Sequence, residues 1–332
     1  MTLRNQIMLI TYPDSLGRNL QDLKYILDQH LQGVVGGLHI LPFYPSSADR
    51  GFAPIDYRVV DPAFGTYEDI RELGAKYDLM VDFMINHISR QSPQFQDFKQ
   101  KRDGSVYRDM FIRYKDFWPG GEPTPEDLGR IYQRKPRPPY VEVTFADGSR
   151  EKIWCTFSEE QIDLNIDSAV TRQFFRDTLS FLAEQNAAII RLDAFAYATK
   201  KLGTNCFFVE PEVWELLEFT RDVLAPCGVE ILPEIHEHYT IQLKLAEKGY
   251  WVYDFALPML LLGGISGYPS GARLCGMLQR SGSVSSEEAE RLGTICNLCS
   301  PMFLMGAVAG GMFSDLRLFM PLAVSHYAGG LI

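Results

Sequence analysis

Apolar and polar residues alternate in blocks that predict strands and helices in turn over residues 1–88 and again after residue 168. Buried parallel strands are near-continuous apolar runs, whereas amphipathic helices repeat their apolar positions every three or four residues. The predicted strands are 6–12, the run starting at 38, 79–85, 187–196, 229–234 and 251–256, and the predicted helices are 16–31, 67–77, 168–185, 211–224 and 239–248. Six strands alternating with helices predict an α/β fold with a parallel sheet.

Two segments depart from this pattern. Residues 89–167 are polar, aromatic and rich in proline, with a predicted hairpin over 140–154, and we interpret them as a subdomain inserted after the third strand. The catalytic domain would then comprise residues 1–88 and 168–262. Residues 263–332 are rich in glycine, and their first apolar run of about 13 residues is shorter than the ~20 that a membrane-spanning helix needs. We expect a buried or poorly folded segment there rather than a membrane helix.

Polar residues close several of the predicted strands. Asn86 and His87 follow the third strand, Asp193 ends the fourth, and Glu234 and His236 end the fifth. Parallel α/β proteins bind ligands at the carboxyl ends of their strands, both in (β/α)8 barrels and in doubly wound sheets. The pattern therefore places a site at these residues without choosing between the two folds.

Arg191 and Asp193 interrupt an otherwise apolar stretch, AAIIRLDAFA at 187–196. Two charges near the end of a buried strand are unfavourable unless they are paired or used. Asp193 is accordingly the candidate reactive carboxylate and Arg191 its electrostatic partner. A purely structural buried salt bridge is the alternative that the stretch alone leaves open.

Composition narrows the possible functions. The formal net charge of -10 argues against binding nucleic acid or an anionic membrane over a broad face, because such surfaces need clustered lysine and arginine. Six irregularly spaced cysteines suit reduced thiols, and the N-terminal segment lacks the features of a secretory signal, so we expect a cytoplasmic protein. Cys296 and Cys299 form an isolated CxxC, which is weak support for a metal or redox site.

Four stretches at strand ends resemble one known family in combination: ADRGFAPIDY at 48–57, VDFMINH at 81–87, IRLDAFAY at 190–197 and LPEIHEHY at 232–239. The chain resembles the sucrose phosphorylase branch of the α-amylase superfamily, glycoside hydrolase family 13, from residue 1 to about 262. The resemblance implies a (β/α)8 TIM barrel, of which six βα units are readable here. It also implies retaining chemistry on α-glucosides, which requires a nucleophilic carboxylate and an acid/base carboxyl about 5 to 5.5 Å apart.

The resemblance also implies roles for individual residues. Asp193 would be the nucleophile and Glu234 the general acid/base, with Arg191 keeping Asp193 ionised and Glu234 holding its proton in a less cationic and drier setting. Asp49 and His87 would bind the sugar hydroxyls, and Phe52 would pack against the ring. The residues expected near the phosphate or leaving group are Tyr197, His236, Gln161 and either Arg134 or Arg137. Each of these side chains also has an ordinary structural explanation, such as a turn residue, a core histidine or a solvated loop.

The implied activity is a phosphorylase that transfers glucose from sucrose or a related α-glucoside, such as glucosylglycerate, to inorganic phosphate. No metal or organic cofactor is implied, and a homodimer is left open. Alternatives are a hydrolase or transglucosidase, or an inactive remnant that at most binds sugar. The remnant is favoured by one departure: the family carries a further carboxylate in a His-Asp motif, and this sequence has no His-Asp dipeptide. We expect residues after about 262 to be a divergent ending or the product of a disrupted reading frame.

Overall fold

The structure, a computed structural model, describes residues 6–133, 135–235, 239–253 and 304–329, together with residues 3, 276, 279 and 290. The chain divides into two compact units. The first comprises Met1–His236 and Leu245–Val252, and the second comprises Glu237–Lys244 and Tyr253–Ile332. The candidate site lies within the first unit.

Five parallel strands form the main sheet of the first unit, in chain order without a reversal. Numbered along the described chain, the strands are β1 Met8–Thr11, β2 Gly37–Ile40, β3 Asp78–Met84, β4 His87–Ser89, β5 Tyr140–Thr144, β6 Arg150–Trp154, β7 Gln161–Asp163, β8 Ala187–Asp193 and β9 Glu230–Pro233. The main sheet has the order β1-β2-β3-β8-β9. Sequential parallel strands are the arrangement of a (β/α)8 barrel, whereas a doubly wound sheet reverses its order.

The central strands are buried along their whole length, which explains their continuous apolar runs. Every residue of β3 and of β8 is buried, and Asp82 of β3 pairs in register with Arg191 of β8. The helices that connect the main strands are α1 Leu20–His30, α2 Tyr67–Gly74, α6 Ala169–Ala183 and α7 Glu212–Leu224. Neighbouring helices pack on each other, α1 on α2 and α6 on α7, as on the outside of a barrel.

Local sequence explains where two of these helices begin. Asn19 caps α1 by accepting a hydrogen bond from the backbone N–H of Asp22, at 2.9 Å. Thr66 and Asp69 form a capping box at the start of α2. In α1 the buried face is Leu20, Leu23 and Leu27, which is the spacing of three and four that predicted the helix.

The segment between β3 and α6 contains antiparallel strand pairs and short helices. These helices are α3 Pro93–Lys101, α4 Tyr114–Phe117 and α5 Pro125–Arg130. The predicted hairpin is confirmed as β5 and β6, with Tyr140 opposite Trp154, and β4 pairs antiparallel with β7. An aromatic cluster built around Tyr114, Trp118 and Trp154 supports the hairpin. Its contacts place this segment in the same compact unit as the main sheet, so the subdomain boundaries stay a prediction.

The sixth predicted strand does not begin where its apolar sequence suggested. Residues 251–253 have no strand structure, and the side chain of Trp251 is about half exposed, whereas the strands of the main sheet are buried. The remainder of that predicted strand, 254–256, lies outside the described residues, as does the CxxC at Cys296 and Cys299. The preceding helix is present as α8 Tyr239–Glu247.

The second unit contains a π-helix at Leu304–Met312 and a further helix, α9 Phe319–Gly329. Both fall in the apolar stretch for which a membrane helix was considered. Among the residues that the structure describes, no helix combines the length and the apolar character needed to cross a membrane.

Candidate active site

The reactive carboxylates are presented by the ends of two adjacent strands. Asp193 is the last residue of β8, and Glu234 follows the end of β9. Ala194 takes a left-handed conformation with φ of 54°, which ends β8 sharply, and its N–H donates to Glu234 Oε2 at 2.9 Å. A non-glycine residue in this region stores strain that the surrounding fold must support. The turn thus ties the two carboxylates to one another through the backbone.

Arg191 bridges three carboxylates. Its Nη1 donates to Asp82 Oδ1 at 2.5 Å and to Asp193 Oδ1 at 3.1 Å, and its Nη2 lies 2.8 Å from Glu234 Oε1. His39 on β2 contacts the other oxygen of Asp82 at 3.0 Å. We call Arg191 with Asp82, Asp193 and Glu234 the Arg191 cluster. One guanidinium cannot neutralise three ionised carboxylates.

The protonation of this cluster differs from the sequence-based prediction. Burial raises the pKa of Asp193 well above its ordinary value, the negative charge of Glu234 adds to the rise, and Arg191 opposes it. The surroundings of Glu234 are not less positively charged than those of Asp193, because both carboxyls contact Arg191. They are not drier either, because the Glu234 side chain is 15% exposed and that of Asp193 is 11% exposed. The prediction of a fully ionised Asp193 beside a drier Glu234 was therefore wrong for the free protein.

Asp82 behaves differently although it is also buried. Burial alone would raise its pKa, but His39 and Arg191 outweigh that effect and lower it. Asp82 therefore remains charged and holds Arg191 in place through their ion pair. Because like charges oppose each other's ionisation, the negative charge of Glu234 makes Asp193 bind a proton more readily than an isolated aspartate does.

The predicted sugar-binding residues converge on the same carboxyl-end face. Gln161 Nε2 donates to Asp49 Oδ2 at 3.3 Å and to the backbone oxygen of Phe52 at 3.0 Å. His87 Nε2 also contacts that oxygen, at 2.8 Å. The Arg191 guanidinium carbon lies 5.9 Å from the centre of the Phe52 ring. Gln161 was expected near the leaving group, but the structure places it beside Asp49 and His87.

One cavity of about 310 Å³ contains most of these side chains. Seven of the predicted site residues besides Glu234 line it. Its lining consists of Asp49, Phe52, His87, Phe157, Gln161, Arg191, Asp193, Ala194, Ala196, Tyr197, Phe207, Glu234 and Ile235. This volume is at the lower end of ligand pockets, which suits a single sugar ring.

Aromatic side chains line the side of the cavity near Tyr197. The Tyr197 ring lies 5.1 Å from Phe157 and 4.9 Å from Phe207, and Tyr132 stacks 4.4 Å from Phe207. Phe157 also packs on His87, with ring centres 5.4 Å apart. Neither Phe157 nor Phe207 was predicted, because both lie in irregular segments without periodicity.

One described residue of the prediction, Arg137, is not part of this cavity lining. Arg137 donates to the backbone oxygens of Tyr140 and Phe157 and to Cys155 Sγ, so its guanidinium braces the hairpin instead. Arg134 and His236 lie outside the described residues. Of the residues predicted for the phosphate side, Tyr197 is the one that the described part of the chain places at that side of the cavity.

Sequence reasoning also missed a second buried cation behind the cavity. Lys200 forms an ion pair with Asp163 at 2.8 Å, with side chains 3% and 0% exposed. The motif QIDLN contains Asp163, but nothing in the sequence connected it with a lysine 37 positions later.

Comparison with known proteins identifies the class that this fold and site define. The family model for the alpha amylase catalytic domain matches residues 6–224, more than half of the chain. The chain belongs to the alpha-amylase family, and its five consecutive parallel strands are part of the (β/α)8 barrel of that family.

Curated relatives point to one branch of the family. Sucrose phosphorylase from Streptococcus mutans is 57% identical over 262 residues, which cover 79% of this chain and 54% of that protein. Glucosylglycerol phosphorylase from Marinobacter adhaerens is 46% identical over 262 residues, with the same shares. The chain spans about half the length of the curated relatives it matches.

Solved structures agree with this placement. The crystal structure of sucrose 6F-phosphate phosphorylase from Thermoanaerobacter thermosaccharolyticum superposes with a TM-score of 0.77 at 43% identity, covering 80% of this chain and 55% of that one. Isomaltulose synthase from Erwinia rhapontici, at 21% identity, gives a TM-score of 0.62 over 78% of this chain and 50% of that one. The second likeness shows the fold alone.

Proposed function

We propose that this chain carries the sugar-binding half of a retaining α-glucoside phosphorylase site. The observation that carries the proposal is the pair of carboxyls, Asp193 and Glu234, held by one arginine at adjacent strand ends inside a cavity of about 310 Å³. Two carboxyls on one cavity are what double displacement with retention requires. The names of the relatives support phosphate as the acceptor.

In the proposed reaction Asp193 attacks the anomeric carbon while Glu234 donates its proton to the departing oxygen. The glycosidic bond breaks and a glucosyl ester forms on Asp193. Phosphate then attacks the same carbon, Glu234 accepts a proton from the incoming oxygen, and α-glucose 1-phosphate leaves. For the first step Glu234 must be protonated and Asp193 ionised, so substrate binding has to lower the raised pKa of Asp193.

Sucrose is the donor that we propose. The sucrose phosphorylase relative is 57% identical, whereas glucosylglycerate phosphorylase from Spirochaeta thermophila is 36% identical over a comparable stretch. Asp49, His87 and Gln161 would bind the glucose hydroxyls, and Phe52 would lie against the ring. Tyr197, Phe157 and Phe207 would face the group that leaves.

The test is release of α-glucose 1-phosphate from sucrose and from glucosylglycerate in phosphate buffer, with Asp193→Asn as the blank. Activity above the blank with sucrose would support the proposal, and activity only with glucosylglycerate would correct its donor. Release of free glucose that added phosphate does not convert into release of glucose 1-phosphate would favour a hydrolase.

A competing proposal is a chain that binds sugar without turning it over. The absence of a His-Asp dipeptide from the sequence favours it, because a missing transition-state contact can lower the rate strongly. An activated donor, α-glucosyl fluoride, distinguishes the two: a covalent glucosyl adduct on Asp193, detected by mass spectrometry, excludes the binding-only alternative. A folded chain that binds glucose and forms no adduct would contradict the enzyme proposal.

A further inference from the structure

Lys200 is a buried cation to which the proposed reaction gives no role. Its side chain is 3% exposed and its Nζ pairs with Asp163 Oδ2 at 2.8 Å. The same Nζ donates to Asn86 Oδ1 at 2.8 Å and to the backbone oxygen of Tyr197. Since an ammonium has three N–H donors, all of them are used. A buried, fully satisfied lysine that touches three separate elements fixes their relative position.

The contact with Lys200 fixes which way the Asn86 amide points. Its oxygen faces the ammonium, so its NH₂ group faces His87, with Nδ2 3.3 Å from Nδ1 of the imidazole. Flipping the amide would place two donors against the ammonium. Because the NH₂ group can only donate, Nδ1 of His87 has to accept.

The other side of His87 completes this arrangement. Its Nε2 lies 2.8 Å from the backbone oxygen of Phe52, which can only accept a hydrogen bond, so the ring proton sits on Nε2. A neutral imidazole with an acceptor Nδ1 and a donor Nε2 satisfies both contacts, and the other tautomer satisfies neither of them. Gln161 Nε2 also lies 3.2 Å from His87 Nε2, but its two hydrogens already have acceptors in Asp49 Oδ2 and the backbone oxygen of Phe52. His87 lines the cavity that contains the two reactive carboxyls.

The two carboxylates near His87 favour its charged form over the neutral one. Asp163 stands opposite His87 in the β4–β7 ladder, and Asp49 lies on the other side near Gln161. Both carboxylates favour the charged imidazolium, while burial, the first cause, and Lys200 lower the pKa of His87. Asp163 is also held by the backbone N–H and the hydroxyl of Thr156, at 2.8 and 2.5 Å. Lys200 thus offsets the one carboxylate that lies directly opposite the histidine.

We propose that Lys200 is a positioning residue that, acting through Asn86, fixes His87 as a neutral imidazole with its proton on Nε2. In this state His87 donates to the backbone oxygen of Phe52 and so holds that backbone, with the Phe52 ring, at the wall of the cavity. The tautomer itself depends only on the protein. Its consequence for sugar binding rests on the function proposed above.

The experiment is NMR of the chain with ¹⁵N-labelled histidine, which reports the protonation of each ring nitrogen. The sequence has six histidines, and His87→Gln assigns the signal. The double variant Lys200→Met/Asp163→Asn removes the cation together with the opposing charge, so that no buried carboxylate is left unpaired. Asp163→Asn alone is the matched control, because Lys200 still orients Asn86.

Wild type and Asp163→Asn are expected to show a neutral His87 with its proton on Nε2. In the double variant the Asn86 amide is free to flip, and only the backbone oxygen of Phe52 still favours the proton on Nε2. We therefore expect a measurable fraction of His87 with its proton on Nδ1. Pure Nε2–H in a folded double variant would overturn the proposal.

A second variant keeps the test decisive if the double variant does not fold. Asn86→Asp retains a partner for Lys200 but turns a carboxylate oxygen toward Nδ1, so His87 should be the charged imidazolium at neutral pH. A neutral His87 in that variant would also overturn the proposal. Glucose affinity of the double variant, measured by calorimetry, should fall about fivefold, as expected for one hydrogen bond. If wild type binds no glucose, the proposed function fails while the tautomer result still stands.

Discussion

Two ion clusters in the first unit differ in how many cations contact each buried carboxylate. In the Arg191 cluster, one guanidinium faces Asp82, Asp193 and Glu234. In the second, which we call the Glu151 cluster, the buried carboxylate of Glu151 on β6 faces Arg102, Arg113 and Lys115 at 2.5 to 2.8 Å. The two arginines also pair with carboxylates that are at least half exposed, those of Asp103, Asp116 and Asp147. The two clusters lie on different elements, the end of β8 and the hairpin strand β6.

The proportion of charges decides how each carboxylate titrates. Burial alone would raise the pKa of Glu151, but hydrogen bonds from Arg113, Lys115 and Arg102 lower it to about 2. Burial raises the pKa of Asp193, and Glu234 adds to the rise because a single arginine cannot neutralise the cluster. A buried carboxylate that three cations contact therefore stabilises the fold, whereas buried carboxylates that share one cation bind a proton more readily, at the expense of stability.

The largest expected effect comes from removing the single cation of the Arg191 cluster. Arg191→Met leaves three buried carboxylates without a guanidinium, so we expect about 3–5 kcal/mol of lost stability at pH 7. The loss should shrink toward pH 4, where the carboxyls can bind protons. Urea unfolding followed by tryptophan fluorescence measures it, since all four tryptophans lie in the first unit.

Arg113→Met is the matched control in the other cluster. Glu151 keeps Arg102 and Lys115 after this change, so the loss should be only about 1–2 kcal/mol. If Arg113→Met were as destabilising as Arg191→Met, the number of cations would not distinguish the two clusters.

A smaller effect is expected from acid titration of Glu151. Its folded pKa of about 2 lies below its ordinary value of 4.5, so its contribution is present above about pH 4.5 and is lost as the pH falls toward 2. Over that range the stability difference between wild type and Glu151→Gln should shrink by about 3 kcal/mol. A difference that stays constant with pH would show that Glu151 is not held in its charged form.

The smallest effect is expected at an exposed ion pair outside both clusters. Arg18 and Asp22 form an i,i+4 pair whose side chains are 90% and 37% exposed. Arg18→Ala should leave the urea midpoint unchanged within error, because solvent and salt screen such pairs. A clear shift would mean that an exposed ion pair also contributes to stability, so that burial would not explain the larger effects in the two clusters.

Much of the fold was predictable because its signals are local. The continuous apolar runs of β3 and β8 and the three-and-four spacing of Leu20, Leu23 and Leu27 identify elements without reference to the rest of the chain. The prediction failed at 251–253 for the same reason, since the apolar character of these residues did not show that Trp251 is half exposed.

The site was predictable only in part. Strand ends and family motifs pointed to Asp193, Glu234, Asp49 and His87, and the structure brings all four to one cavity. The charge balance was not predictable, because Asp82 and Arg191 are 109 positions apart and meet only through the pairing of β3 with β8. Phe157 and Phe207 were missed because irregular segments carry no periodic signal.

The most direct test compares the neutral isosteres Asp193→Asn and Glu151→Gln in urea unfolding at pH 7. Asp193 has a raised folded pKa, so its deprotonation opposes folding increasingly as the pH rises, and Asp193→Asn should be more stable than wild type. Glu151→Gln should be less stable. Shifts of opposite sign are the predicted result, and two shifts of the same sign would contradict the account.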